Sequence, residues 1–180
     1  MILLEYNKIN YKKLLKNVSS KEVDYYLNLL QVENPEFKLL VEHIGGNSIN
    51  EIIENECQIF QFGSILSLEE MVEHTNMIEP LWIKTFIPMV ANGDGEYLLF
   101  NNDIGEKNFG KLHLYSPSLL FVNDPISYYD SIFCMILTTI QAYKKGFLKY
   151  DVDEDWLDHD MDGLFQIAKN INKDSDYWKL

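Results

Sequence analysis

An acidic run between positions 151 and 162 holds side chains that could bind either a cation or a basic protein. The run comprises Asp151, Asp153, Glu154, Asp155, Asp158, Asp160 and Asp162. Residues 158–163 match the first half of an EF-hand calcium loop, but Lys169 occupies the twelfth position, where a bidentate glutamate is needed. The run therefore favours a solvated loop or a docking face over a metal site. Trp156 within it favours docking, because aromatic side chains anchor interfaces.

The sequence contains no arrangement of nucleophile, base or ligand that is typical of an enzyme. The histidines are His43, His74, His113 and His159. None belongs to an HExxH motif, no GxSxG motif surrounds a serine, and Cys57 and Cys134 form no CxxC pair. Gly93-Asp94-Gly95 lacks the Lys-Ser/Thr and the following helix of a phosphate-binding loop. We therefore expect no catalytic residue, no metal site and no cofactor.

The charge balance indicates the class of partner. The 15 basic side chains, all lysine, and the 28 acids give a net charge of 15 − 28 = −13. Such a surface repels nucleic acid and anionic membranes, and it attracts a basic protein. No apolar stretch approaches the ~20 residues that span a bilayer. We expect a cytoplasmic protein.

A strand–turn–strand pattern lies near the middle of the chain. Strands are predicted at about 85–91, 96–101 and 109–115, and alternation at 57–62 predicts another. Gly93 and Gly95 supply the positive φ angles that a tight turn requires. Asp94 and Glu96, beside this turn, join Asp151, Asp153, Glu154, Asp155, Trp156, Asp158 and Asp160 as the candidate partner-binding residues. A further edge strand is expected at 119–122.

Capping signals predict the helices. Ser19 with Glu22, and Ser67 with Glu70, form capping boxes for helices that run to about positions 32 and 73. Asn34-Pro35 predicts a helix to position 44, and a final helix is expected from 162 or 163 to 170. After a sheet break at Asp124-Pro125, a long helix is expected from Ser127 and Asp130 to Gly146. Its predicted core stripe is Tyr129, Phe133, Ile136, Ile140 and Tyr143.

These elements predict an α+β fold, with a single mostly antiparallel sheet flanked by helices. No repeat or linker divides the chain, so residues 1–180 are expected to form one domain. Its core is expected at about 20–150, followed by an acidic loop and helix at 151–180, with Trp178 docking the tail.

The order of several segments resembles the SUKH superfamily, which includes yeast cell-wall assembly regulators and bacterial immunity proteins. The segments are 35–40 with Gly45-Gly46, 66–70, Phe86-Ile87-Pro88 with 93–97, 128–133, and Gly146-Phe147 with 162–178. Residues 47–56 and 151–160 match nothing in that pattern. Asn101 stands where an acidic residue is common in the family.

The resemblance implies a SUKH-like domain that binds proteins and has no catalytic residue. Bacterial members are made beside a secreted toxin, often a nuclease, which they bind and block. Together with the negative charge, the resemblance predicts an immunity protein that occludes a basic toxin. The alternative is an intracellular regulatory scaffold of the cell-wall assembly regulator type.

Overall fold

The computed structural model describes residues 18–44, 60–78, 85–92, 94–116, 125–151 and 156–179. The helices within these ranges are α1 Ser20–Leu30, α2 Pro35–Ile44, α3 Leu68–Ile78, α4 Ile132–Lys145, α5 Met161–Ile171 and the 3-10 helix Tyr177–Lys179. The strands are β1 Ser64–Ile65, β2 Phe86–Ala91, β3 Tyr97–Asn101, β4 Leu112–Tyr115, β5 Ile126–Tyr129, β6 Leu148–Asp151 and β7 Trp156–His159. None of these helices is long and apolar enough to cross a membrane.

The first five strands form an antiparallel sheet in the order β1-β2-β3-β4-β5, and β6 pairs with β7 in a separate hairpin. This confirms the predicted α+β fold. The β2–β3 register shifts between Pro88 and Val90. A bulge suits this position, because proline has no N–H to donate to a neighbouring strand.

The central turn joins β2 to β3 as the sequence predicts. Gly95 adopts a φ of 79°, and the Asn92 N–H donates to the Glu96 carbonyl at 3.2 Å. Asn92 organises the turn with its side chain as well, because its Oδ1 accepts from the backbone N–H groups of Asp94 and Glu96 at 3.1 and 3.0 Å. The glycines of the turn are evident from the sequence pattern, whereas the role of Asn92 follows only from the folded chain.

The predicted caps open the first three helices. Ser19 Oγ accepts from the Glu22 N–H at 3.3 Å, and Asn34 Oδ1 accepts from the first turn of α2. At α3 the capping box closes in both directions: Ser67 Oγ accepts from the Glu70 N–H at 3.2 Å, and Glu70 Oε2 accepts from the Ser67 N–H at 2.9 Å. α3 continues to Ile78, past the predicted end at 73.

The prediction for residues 124–131 is wrong. Pro125 does not break the sheet, because it precedes β5 and proline is tolerated at the start of a strand. Ser127 and Asp130 do not cap a helix. They hold the C-terminal tail instead: Ser127 Oγ accepts from the Asp176 N–H at 2.8 Å, and Asp130 Oδ2 accepts from the Asp174 N–H at 3.0 Å. The cap of α4 is Ser131.

The predicted core stripe of α4 is wrong in part. Ile136 and Tyr143 pack against the core as predicted, but Phe133 is 60% exposed, and Tyr129, although buried, lies in β5. The buried face consists of Ile132, Met135, Thr138, Thr139 and Ala142. Thr138 and Thr139 are tolerated there because their hydroxyls donate to carbonyls four residues earlier, at 2.8 and 3.0 Å. The predicted end of the helix is confirmed, since Gly146 caps it with a φ of 72°.

Two further segments differ from the prediction. In the acidic run that was predicted to be a loop, Asp151 ends β6 and residues 156–159 form β7. α5 begins at Met161, with Asp160 as its cap. Residues 60–62 form bends, and the strand lies at Ser64–Ile65. The remainder of the predicted strand at 57–62, the 119–122 edge and Gly45 lie outside the described residues.

Buried apolar side chains form two packed groups that share α4 and α5. The larger group joins α1, α2 and α3 to the five-stranded sheet, with Phe37 and Phe100 in contact at a ring-centroid distance of 5.0 Å. The smaller group packs the β6–β7 hairpin against the ends of the two shared helices through Ala142, Leu148, Leu157, Leu164 and Ile167.

The C-terminal tail docks through Trp178, as predicted. The indole is 1% exposed, its Nε1 donates to the Tyr128 carbonyl, and its ring lies 4.6 Å from that of Tyr128. The Ser175 hydroxyl donates to the same carbonyl at 3.0 Å. The tail therefore covers part of the core and supplies the hydrogen-bond donors for the Tyr128 carbonyl.

Replacing Trp178 with Ala should lower the free energy of unfolding by about 3–5 kcal/mol, because a buried aromatic ring is lost. Trp178→Phe keeps a ring and leaves the Tyr128 carbonyl bonded to Ser175, so we expect a loss of only about 1 kcal/mol. Urea denaturation measures both changes, with Lys179→Ala as the exposed control. A Trp178→Ala midpoint equal to that of the control would contradict the docked tail.

Candidate functional site

The β2–β3 turn carries two of the predicted partner-binding residues, which differ in their surroundings. Asp94 is exposed. Glu96 is half-buried, and its carboxylate accepts from Asn92 Nδ2 at 2.7 Å and from the Ser116 hydroxyl. The Glu96 carboxylate therefore fixes the turn to the end of β4, whereas Asp94 presents its charge to solvent.

The β6–β7 hairpin carries the other predicted residues. Asp158 is exposed and lies directly opposite the exposed Lys149 in the hairpin register. Asp160 accepts from the Gly163 N–H at 3.1 Å as the cap of α5. Asp151 and Trp156 form the last pair of the ladder before the connecting segment, while Asp153, Glu154 and Asp155 lie outside the described residues. The six residues 158–163 form strand, cap and helix, so they are not shaped as a calcium loop.

These two groups belong to different sheets, since the turn joins strands of the five-stranded sheet and the hairpin stands apart from it. A third acidic surface, which sequence reasoning missed, lies where α1 packs against α3. We call it the α1–α3 face; its residues are Glu22, Tyr25, Tyr26, Leu29, Glu69 and Glu73. At 100° per residue, its four α1 members occupy successive positions along one flank of that helix.

Tyr26 marks the centre of the α1–α3 face. It is half-buried, and burial raises the pKa of its hydroxyl; the carboxylates of Glu69, Glu22 and Glu73 raise the pKa further. Tyr25 packs edge-on against it, with ring centroids 5.2 Å apart. Acids from both α1 and α3 therefore act on the same phenol, as the packing of the two helices allows.

Within the described part of the chain, the carboxylates of this face have no cationic partner. Glu22, Glu69 and Glu73 take part in none of the ion pairs formed there. On the opposite flank of α1, Asp24 pairs with Lys38 of α2 at 2.8 Å. Among the described residues the α1–α3 face therefore carries unpaired negative charge, whereas the α1–α2 side holds an ion pair. Helical periodicity could have revealed the exposed Tyr25 and Leu29, but not the proximity of α3.

The histidines of the described residues are held by structural contacts. His74 Nδ1 lies 3.0 Å from the Tyr97 hydroxyl, and His113 Nδ1 lies 3.1 Å from the Pro125 carbonyl. His113 is 5% exposed, and its Nε2 has no hydrogen-bond partner within the described part of the chain. Burial lowers the pKa of His113. Across the described residues, no three His, Cys, Asp or Glu side chains are grouped as metal ligands would be.

No protein-family model matches the chain, and a search of the curated proteins gives no match either. The resemblance to the SUKH superfamily therefore rests on the order of the sequence segments described above, and it stays a prediction. What the geometry offers is a set of acidic surfaces, of which the α1–α3 face combines unpaired carboxylates with exposed apolar side chains.

The buried His113 should make stability depend on pH. Its pKa is below the usual ~6.5 in the folded protein, so as pH falls below that value the unfolded chain binds a proton that the folded protein does not. Stability is then fully present above about pH 6.5 and falls toward pH 5.5. Urea midpoints across this range should fall less steeply for His113→Gln than for wild type.

The exposed His43 supplies the matched control for this experiment. His43→Gln removes an exposed imidazole instead of a buried one, and the ring-proton NMR titration of His113 in the wild type should have its midpoint below that of a model peptide. Equal slopes for His113→Gln and wild type would contradict the assignment.

Proposed function

We propose that this chain is an immunity protein of the SUKH type, which binds a basic toxin and blocks it by occlusion, without catalysis. The observation that carries the proposal is the uncompensated negative surface. The net charge is −13, and within the residues that the structure describes Glu22, Glu69 and Glu73 form no ion pair and share their face with exposed Tyr25 and Leu29.

Electrostatics supplies the proposed mechanism. A nuclease binds the phosphate backbone of its nucleic-acid substrate with lysine and arginine side chains. Carboxylates presented on a folded scaffold would pair with those same cations, so nucleic acid and the inhibitor would compete for one surface. The net negative charge would also speed encounter with a basic partner at low ionic strength.

The scaffold supports this kind of binding. Both helices of the α1–α3 face bury apolar residues in the larger core, including Val23, Leu27 and Met71. Its acidic side chains are therefore carried by packed helices rather than by loops. A binding surface that is ordered before the partner arrives loses less conformational entropy on association.

The test is binding and inhibition by the proteins encoded in the two genes that flank this one. Purified full-length chain should bind one of these products with a Kd below about 1 μM, and it should inhibit that product's toxic activity at equimolar ratio. Binding should weaken as NaCl rises from about 50 to about 500 mM, because exposed charges are screened.

Failure of both flanking products to bind at micromolar concentration would overturn the proposal. So would tight binding that leaves toxic activity intact, since that behaviour fits the regulatory-scaffold alternative. Heat-denatured chain provides the negative control, because it has the same charge without the folded surface.

A further inference from the structure

We propose that the α1–α3 face is the surface that engages the partner, and that it binds an arginine-bearing patch on a basic protein. This inference rests on the proposed function for the biological identity of that protein. Three features of the structure support the choice of this surface: its exposed apolar side chains, its unpaired carboxylates and its contrast with the other acidic surfaces.

Exposed apolar side chains give the face its anchors. Tyr25 and Leu29 are 59% and 52% exposed and lie one turn apart on α1. The inward side of the same helix is already filled by Val23, Leu27 and Leu30. Tyr25 and Leu29 are therefore additional to what the fold needs, and tyrosine is among the residues that contribute most to binding energy in interfaces.

Charge complementarity identifies the occupant. Besides burial, the charges of Glu69, Glu22 and Glu73 raise the pKa of Tyr26, and α1 packs on α3. The two helices contain one lysine between them, Lys21, which pairs with none of these acids among the described residues. A cation is attracted to such a negative surface. The neighbouring Glu70 is already committed to the Ser67 cap.

Arginine fits this face better than lysine does. A planar guanidinium can bond a carboxylate through two N–H groups and stack on an aromatic ring. Here Glu69 and Glu73 are carried by α3, which packs against α1, and α1 presents the Tyr25–Tyr26 ring pair. One arginine can therefore use both kinds of contact at the same place, which a lysine ammonium does less well.

Within the part of the chain that the structure describes, the other acidic surfaces are less suited to binding an arginine-bearing patch. Asp158 faces Lys149 across the hairpin, and Asp160 caps α5. Lys144 and Lys145 end the helix that leads into β6, so cations are interspersed with the acids there. At the β2–β3 turn, Glu96 is bonded to Asn92 and Ser116.

The first experiment compares two double charge reversals with the same change in net charge. Against the flanking-gene product that wild type binds, Glu69→Lys/Glu73→Lys should raise Kd by about 100-fold or more, and Tyr25→Ala by about 10-fold. The matched control, Asp158→Lys/Asp162→Lys, should raise Kd by less than about 10-fold. Because the long-range attraction is reduced equally in both, the difference measures local contacts.

Glu69→Gln/Glu73→Gln serves as a second variant, since it removes charge without adding a cation at the start of α3. Circular dichroism melting checks that each variant folds, and the Gln pair should still raise Kd by about 10-fold. If the hairpin control weakens binding as much as the face variants do, the surface assignment is wrong while the proposed function stands.

The second experiment does not depend on the toxin. Nona-arginine and nona-lysine peptides are titrated into labelled full-length chain, and amide NMR shifts are mapped. We expect the largest shifts in 20–30 and 68–78, with tighter binding of nona-arginine. If the peptides produce these shifts but neither flanking product binds, the assignment of the α1–α3 face stands and the proposed function is overturned. Shifts centred on 148–159, or equal affinity for the two peptides, would overturn the inference.

Discussion

The pairing of β2 with β3 is the interaction on which the rest of the structure depends. Leu98, Leu99 and Phe100 are all fully buried, although successive side chains of a strand point to opposite faces of the sheet. Both faces of the central strand are therefore covered. β1 pairs along the other edge of β2, β4 pairs with β3, and α3 packs on β2. Since α1 packs on α3, the register of this hairpin also sets the position of the α1–α3 face.

The acids of that face have two effects. Glu22 and Glu69 lie in the first turns of their helices, where a carboxylate interacts favourably with the helix dipole. The same placement adds both charges to one surface once α1 and α3 pack. Helix stability and surface charge therefore follow from the same side chains.

Sequence reasoning succeeded where the signal is local. The Ser67–Glu70 box and the positive φ of Gly95 each depend on a few neighbouring residues, and both formed as predicted, while Gly93 lies outside the described residues. It failed at Ser127 and Asp130, because a serine and an acid at that spacing can equally anchor a distant tail. It also failed at Thr138 and Thr139, whose hydroxyls bond within the helix and so permit burial.

The candidate surface was only partly predictable. Net charge indicated a basic partner, and Asp94 and Asp158 are exposed as a partner-binding role requires. Glu22 and Glu69, however, are far apart in the chain and join one surface only because α3 packs on both β2 and α1. Their proximity follows from tertiary packing, which neither composition nor periodicity contains.

The most direct test of this account is a structure of the chain bound to a toxin that it inhibits. The account predicts arginine side chains of the toxin within ~4 Å of Glu69 or Glu73, with Tyr25 buried in the interface. A complex in which these residues remain exposed to solvent, or in which the contacts are mainly apolar and distant from any carboxylate, would contradict it.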